Sequence, residues 1–198
     1  KLLGKIKTSF HIDSVEVQKS NVYIHEISAS TNNEGIIPLQ NVHAIVTNVT
    51  SKPAPTDELG VFCSAGIGNM QIHEFNYAES YTDSLSVFKV QLAASGMAFT
   101  DLNHITVPLA SAKIEKGNSD TLFAAWKGNK YAAYGQMDFY YKDIKVKLMN
   151  PKDSTKPGIK FPIINWVANT FVLRKNNHKT ATAFYVRDRE KFVFNYWI

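Results

Sequence analysis

Apolar and polar residues alternate with a period of two along most of the chain, the pattern of strands that bury one face. Leu59, Val61, Cys63, Ala65 and Ile67 form the clearest one-sided run, with Gly60, Phe62, Ser64, Gly66 and Gly68 opposite. Val42, Ala44 and Val46 alternate with His43, Ile45 and Thr47. Phe88, Val90 and Leu92 do the same against Val87, Lys89 and Gln91, and Leu122, Ala124 and Trp126 follow. Lys127-Gly128-Asn129-Lys130 then reads as a turn, because Gly and Asn accept positive φ. Tyr131, Ala133, Gly135, Met137, Phe139 and Tyr141 make the return strand. The frame slips before Ile144, Val146 and Leu148, which predicts a bulge or a bend between Tyr141 and Ile144.

Near the N-terminus, Phe10 and Ile12 alternate, and Val15 and Val17 resume out of frame. Lys19-Ser20-Asn21 reads as a turn before a new strand at Val22 and Ile24, and residues 31–35 as the next turn. A short helix is expected over 101–109, capped by Thr100 or Asp101, with Pro108 near its end. A better one is expected over 160–175. There Ile164, Val167, Ala168, Phe171 and Val172 fall on one helical stripe, Pro162 suits the first turn, and Asn176-Asn177 the stop. A strand over 170–173 competes with it. Residues 187–198 fit either a terminal helix or a last strand, and 150–158, with two prolines, an exposed loop. The predicted class is therefore mainly β: a long curved antiparallel sheet, a meander shaped as a groove or half-barrel, with one or two short helices. The 198 residues form a single β-rich domain, read as a fragment of a longer chain.

Composition narrows the chemistry. The longest apolar run, Leu122 to Trp126, is too short to cross a bilayer as a helix. One cysteine, Cys63, rules out an internal disulfide. Residues 142–191 carry twelve Lys/Arg and four Asp/Glu, so the C-terminal third is the basic end. Such a surface attracts phosphate, or discourages strand edges from pairing. No zinc-finger, RNP or helix-turn-helix signature accompanies the charge, so nucleic acid is not the expected partner. No nucleophile elbow, P-loop or dinucleotide fingerprint occurs. His11, His25 and His43 are expected near three successive strands, without the close spacing of a zinc site. Cys63 lies on the apolar face of its run, where a thiol behaves as a small hydrophobe. The expectation is a protein with no catalytic residues, no metal and no cofactor.

Aromatic residues make up 12% of the chain and crowd its last third. Long one-sided strands with little helix to cover them suit a trough for an elongated apolar ligand. Its candidate lining is Val61, Cys63, Ala65, Phe88, Val90, Leu92, Ala124, Trp126, Met137 and Phe139. The alternative is a structural or protein-interaction β-domain, in which the same residues form a closed core.

The stretch Leu102-Asn103-His104-Ile105-Thr106-Val107-Pro108-Leu109-Ala110-Ser111, followed by Lys113-Ile114-Glu115-Lys116-Gly117, resembles the C-terminal region of AsmA-like bacterial envelope proteins of the Bacteroidetes type. Tyr134-Gly135-Gln136-Met137-Asp138-Phe139-Tyr140-Tyr141 through Val146, Ala168-Asn169-Thr170-Phe171-Val172-Leu173-Arg174 and Tyr185-Val186-Arg187-Asp188-Arg189 carry the resemblance to the end. It covers residues 100–198 well and 1–100 loosely, and departs at Lys116-Gly117-Asn118, where the family has Ser-Gly. The resemblance implies a periplasmic protein, anchored through a segment outside this chain. Its β-groove would shield acyl chains for lipid transport or outer-membrane assembly. Phospholipid or another acyl-chain lipid would be the ligand. Envelope proteins or the membrane surface would meet the basic 142–191 segment.

Overall fold

The computed structural model describes residues 6–28, 31–150, 153–157 and 180–186. They form one antiparallel sheet that is not closed into a barrel. Its strands are β1 (His11–Ile27), β2 (Glu34–Thr50), β3 (Glu58–Ile67), β4 (Met70–Ser80), β5 (Phe88–Ala98), β6 (Ala112–Gly128), β7 (Ala132–Asn150), β8 (Asp153–Pro157) and β9 (Thr180–Val186). From β1 to β8 every strand pairs with its chain neighbour, and β9 returns to pair with β7. The expected meander is what forms. The helix expected over 160–175, the strand weighed over 170–173 and the terminal segment 187–198 lie outside the described residues.

Four local expectations are corrected. Lys19-Ser20-Asn21 is no turn, because β1 runs through it as one strand of 17 residues. Lys19 takes φ 48° and Asn41 on β2 takes φ 49°, and the β1–β2 register shifts beside them. The Asn41 amide donates to Asn21 Oδ1 (3.2 Å), which ties the two irregularities together. A residue that accepts positive φ serves a bulge as well as a turn, and here the partner strand decides between them. Second, the expected loop over 150–158 contains β8, which pairs with the end of β7. Third, the short helix forms as α1 (Asn103–Ala110), but Thr100 and Asp101 do not cap it. They sit inside a 3-10 turn, Phe99–Leu102, that leads into it.

Fourth, the turn expected over 127–130 forms one step later, at 129–131: Lys127 and Gly128 stay in β6, and neither Gly128 nor Asn129 takes a positive φ. The Asn129 side chain holds it instead, accepting from the amides of Tyr131 and Ala132. The bulge between Tyr141 and Ile144 is present, with Asp143 at φ 55° and register shifts on β6 opposite.

Side-chain hydrogen bonds fix α1 at both ends. The Asn103 amide group donates to Ile114 O (2.9 Å), and its Oδ1 accepts from Ile114 N (2.7 Å), so a side chain imitates a strand on the edge of β6. At the other end Ser28 Oγ donates to Leu109 O (2.8 Å) and Thr31 Oγ1 to Pro108 O (2.5 Å). Ser111 takes φ 50° and closes the helix with a left-handed cap. The helix thus reaches from β6 to the β1–β2 connection and packs on both β2 and β6. Eight residues of helix span about 12 Å. A flat sheet would hold β2 and β6 roughly 19 Å apart. The sheet therefore curls around α1, and the helix closes one end of its concave face.

Under the helix, Phe99, Met97, Ile67, Ile114 and Tyr141 form a buried cluster with Ile37, Leu39 and Leu102 against it. Phe99 meets Phe139 and Tyr141 edge-on, with ring centroids 5.6 and 5.9 Å away. Gly117, at φ +132°, lets β6 bulge there. A Cβ at this position would stand 2.8 Å from Phe99 and from the Ile144 backbone.

Candidate functional site

Residues directly opposite one another in an antiparallel ladder share a face. The register therefore shows which residues the sheet gathers. One row runs Val46, Val61, Tyr77, Val90, Trp126, Gly135. The next runs Ala44, Cys63, Phe75, Leu92, Ala124, Met137, Ala181. A third runs Ala65, Ile72, Ala94, Leu122, Phe139, and Phe88 lies in a further row with Gly128 and Ala133. All ten residues picked from the sequence thus lie on one face, the concave one that carries α1. They come from β3, β5, β6 and β7.

Burial divides them. Val90 (1% exposed), Ala124 (2%), Ala65 (5%) and Phe88 (5%) are packed away. Val61, Cys63, Leu92, Trp126, Met137 and Phe139 are half-buried. Tyr77, Phe88, Val90 and Ala133 make a second cluster, supported by Val61, Phe75, Trp126 and Tyr185. Between the two clusters runs the row with Cys63, Leu92 and Met137, where the face is least covered. Burial raises the Cys63 thiol pKa, in keeping with an apolar setting. The Tyr77 hydroxyl, raised further by burial and by its 2.7 Å hydrogen bond to Glu79, marks the polar rim of the same face.

Sequence reasoning passed over the contribution of β4: Ile72, Phe75 and Tyr77. The cause is local. His73 is an extra residue that shifts the register on both sides of β4, so the period of two breaks inside the strand. Reading Phe75 and Tyr77 as a frame restarted after His73 recovers them.

The polar candidates do not converge. His11 and His25 both stand on β1, fourteen positions apart, which at about 3.3 Å per residue is some 46 Å. The expectation that the histidines sit on three successive strands is therefore corrected. His11 contacts Asp13 (3.0 Å) and His25 contacts Glu34 (2.9 Å), while His43 lies on β2 opposite Ser64. Among the described residues no three metal-binding side chains come together.

A depression of about 270 Å³ spans β1 to β4 and includes His43, Cys63, His73 and Glu74. Beside it His73 Nε2 lies 2.5 Å from Ser95 Oγ on the exposed face. No carboxylate orients the other ring nitrogen among the described residues, so the pair lacks the third member of a relay. No described helix is long and apolar enough to cross a membrane. The apolar concave face is the feature that these strands assemble from the widest part of the chain. No family model, no curated protein and no solved structure matches the chain.

Proposed function

We propose that the chain is a non-catalytic module whose concave face shields the acyl chain of a lipid. It would act in lipid transport or outer-membrane assembly in the periplasm, as the AsmA-like resemblance implies. The observation that supports this reading is the continuous apolar row through Cys63, Leu92, Ala124 and Met137, half-covered along most of its length on an open, curled sheet. Each methylene moved from water onto such a face contributes about 0.8 kcal/mol, with no need for a polar anchor. A trough of this kind holds a chain by area and lets it slide.

The test is native mass spectrometry of gently purified protein, with solvent extraction of the same sample. Wild type should carry phospholipid. Leu92→Asp and Met137→Asp place a carboxylate on half-covered positions and should lose the lipid while keeping the far-ultraviolet circular dichroism of the fold. Val90→Asp is the contrast, since a charge at a 1% exposed site should unfold the protein. Lipid-free wild type, or unfolding by all three variants alike, would make the face an ordinary closed core.

A second reading, a protein-interaction domain, draws on β1. That strand ends the sheet among the described residues and exposes Ile12, Val15, Val22, Tyr23 and Ile27. An added strand from a partner would pair there. Binding of a partner that Lys substitutions on β1 abolish, with no lipid recovered, would favour this reading.

A further inference from the structure

The convex face of the sheet carries a second, chemically different surface. Register places Lys89 directly opposite Lys127, and the same row continues to Tyr134 on β7 and Phe184 on β9. Tyr134 is 62% exposed and Phe184 70%, and Phe123, two rows away on that face, is 49% exposed. Toward the α1 end, Lys113 stands directly opposite Lys147, and Lys116 opposite Lys145. Ile114 and Val146, the chain neighbours of Lys113, Lys145 and Lys147, pair on the concave side, which fixes those three lysines on the convex one, and Lys116 shares the face of its partner Lys145. Like charges directly opposite in a ladder destabilise it. Three such pairs on β5, β6 and β7 are therefore a standing cost to the fold. Carboxylates relieve it in part: Glu115 pairs with Lys145 (2.6 Å), and Asp120 takes the nearby Lys142 (3.1 Å). The other five lysines of the three pairs form no ion pair among the described residues.

We propose that this convex face docks on an anionic phospholipid surface, the lysine pairs meeting phosphates and the exposed rings entering the headgroup layer. Charge complementarity chooses this partner. Lysines in excess of carboxylates at both ends of a patch of exposed aromatic rings, with Glu115 shared among Lys145, Lys147 and Lys113 at one end, match a negatively charged interface, where rings with a polar edge are at home. The inference concerns the face opposite the proposed lipid trough and stands whether or not that trough is loaded.

The experiment is flotation of the full chain with vesicles of phosphatidylcholine alone and of phosphatidylcholine with phosphatidylglycerol. The protein should float with the anionic vesicles only, and added salt should release it. Lys113→Gln with Lys147→Gln, and separately Lys89→Gln with Lys127→Gln, should weaken binding about fivefold per lysine removed. Their thermal midpoints should hold or rise, because a repulsive pair is gone. Tyr134→Ser with Phe184→Ser should weaken binding without changing its salt dependence. Three outcomes would overturn the proposal. One is no dependence on phosphatidylglycerol. Another is full binding by the lysine variants. The third is flotation lost in Leu92→Asp but kept in the lysine variants, which would mean that lipid uptake by the concave face, and not docking, holds the vesicle.

Discussion

Replacing Phe99 by alanine probes the joint between the helix and the sheet. Phe99 is 2% exposed and opens the 3-10 turn that leads into α1. Its ring meets two others edge-on, at 5.6 and 5.9 Å. Phe→Ala at a packed site costs about 3–5 kcal/mol. Two edge-to-face pairs, at about 0.5–1.5 kcal/mol each, supply roughly 1–3 of this, and lost burial supplies the rest. For a chain of this size each kcal/mol lowers the thermal midpoint by about 2–4 °C, so a fall of roughly 10 °C is expected. Urea titration followed by tryptophan fluorescence gives the free energy directly, and hydrogen exchange shows whether the α1 amides open first. Phe99→Leu keeps most of the apolar volume and should restore about half of the loss. A cost under about 1 kcal/mol for Phe99→Ala, with α1 amides still protected, would refute the argument that this ring pins the helix to the sheet.

Gly117→Ala should cost about 2 kcal/mol or more in urea titration, since it combines a backbone strained at φ +132° with a Cβ pressed against Phe99 and the Ile144 backbone. Asn103→Ala removes two hydrogen bonds to the Ile114 backbone and should lower stability by about 1–3 kcal/mol, and Asn103→Asp should not rescue it, because it keeps the acceptor for the Ile114 amide but turns a carboxylate oxygen toward the Ile114 carbonyl. Lys145, by hydrogen bond and charge, holds the Glu115 carboxyl below its ordinary pKa, with help from Lys147 and Lys113. Its contribution to stability is therefore present above the ordinary carboxylate range and is lost as pH falls through the lowered value. Carboxyl NMR titration should show the Glu115 midpoint moving up in Lys145→Gln; an unmoved midpoint would deny the ion pair.

Much of the architecture could be read from spacing, and the failures have one origin. Residues 59–67 alternate so cleanly that their facing is settled within the strand, and all ten picked positions do share a face. Where the ladder contains an irregularity, local spacing stops being informative. Lys19, His73 and Asp143 each shift a register. The slip at Asp143 was legible because apolar residues resume on both sides of it. At Lys19 the same chemistry reads equally well as a turn, and only the pairing with β2 settles the matter. At His73 the restarted run is short, and so the β4 aromatics were overlooked. The helix ends show a different limit. Thr100 and Asp101 have the composition of caps, but Asn103 spends its side chain on Ile114, eleven residues away. A side chain that bonds across the fold leaves no trace in the neighbouring sequence. Burial has the same property: nothing in the alternation separates Val90 from Leu92, one packed and the other half-covered.

The route by which this sheet assembles follows from α1. From β1 to β8 each ladder joins strands that follow one another, so hairpins can be added one at a time as the chain lengthens, with short loops to close. The helix breaks that order. Its bonds to Ser28 and Thr31 reach back about eighty residues, past four strands. They can form only after β2 to β5 are in place and bent toward the helix. The hairpins are thus early, local events, and the curl is set late, when α1 docks. A chain halted before α1 would hold the strands without the clasp that bends them.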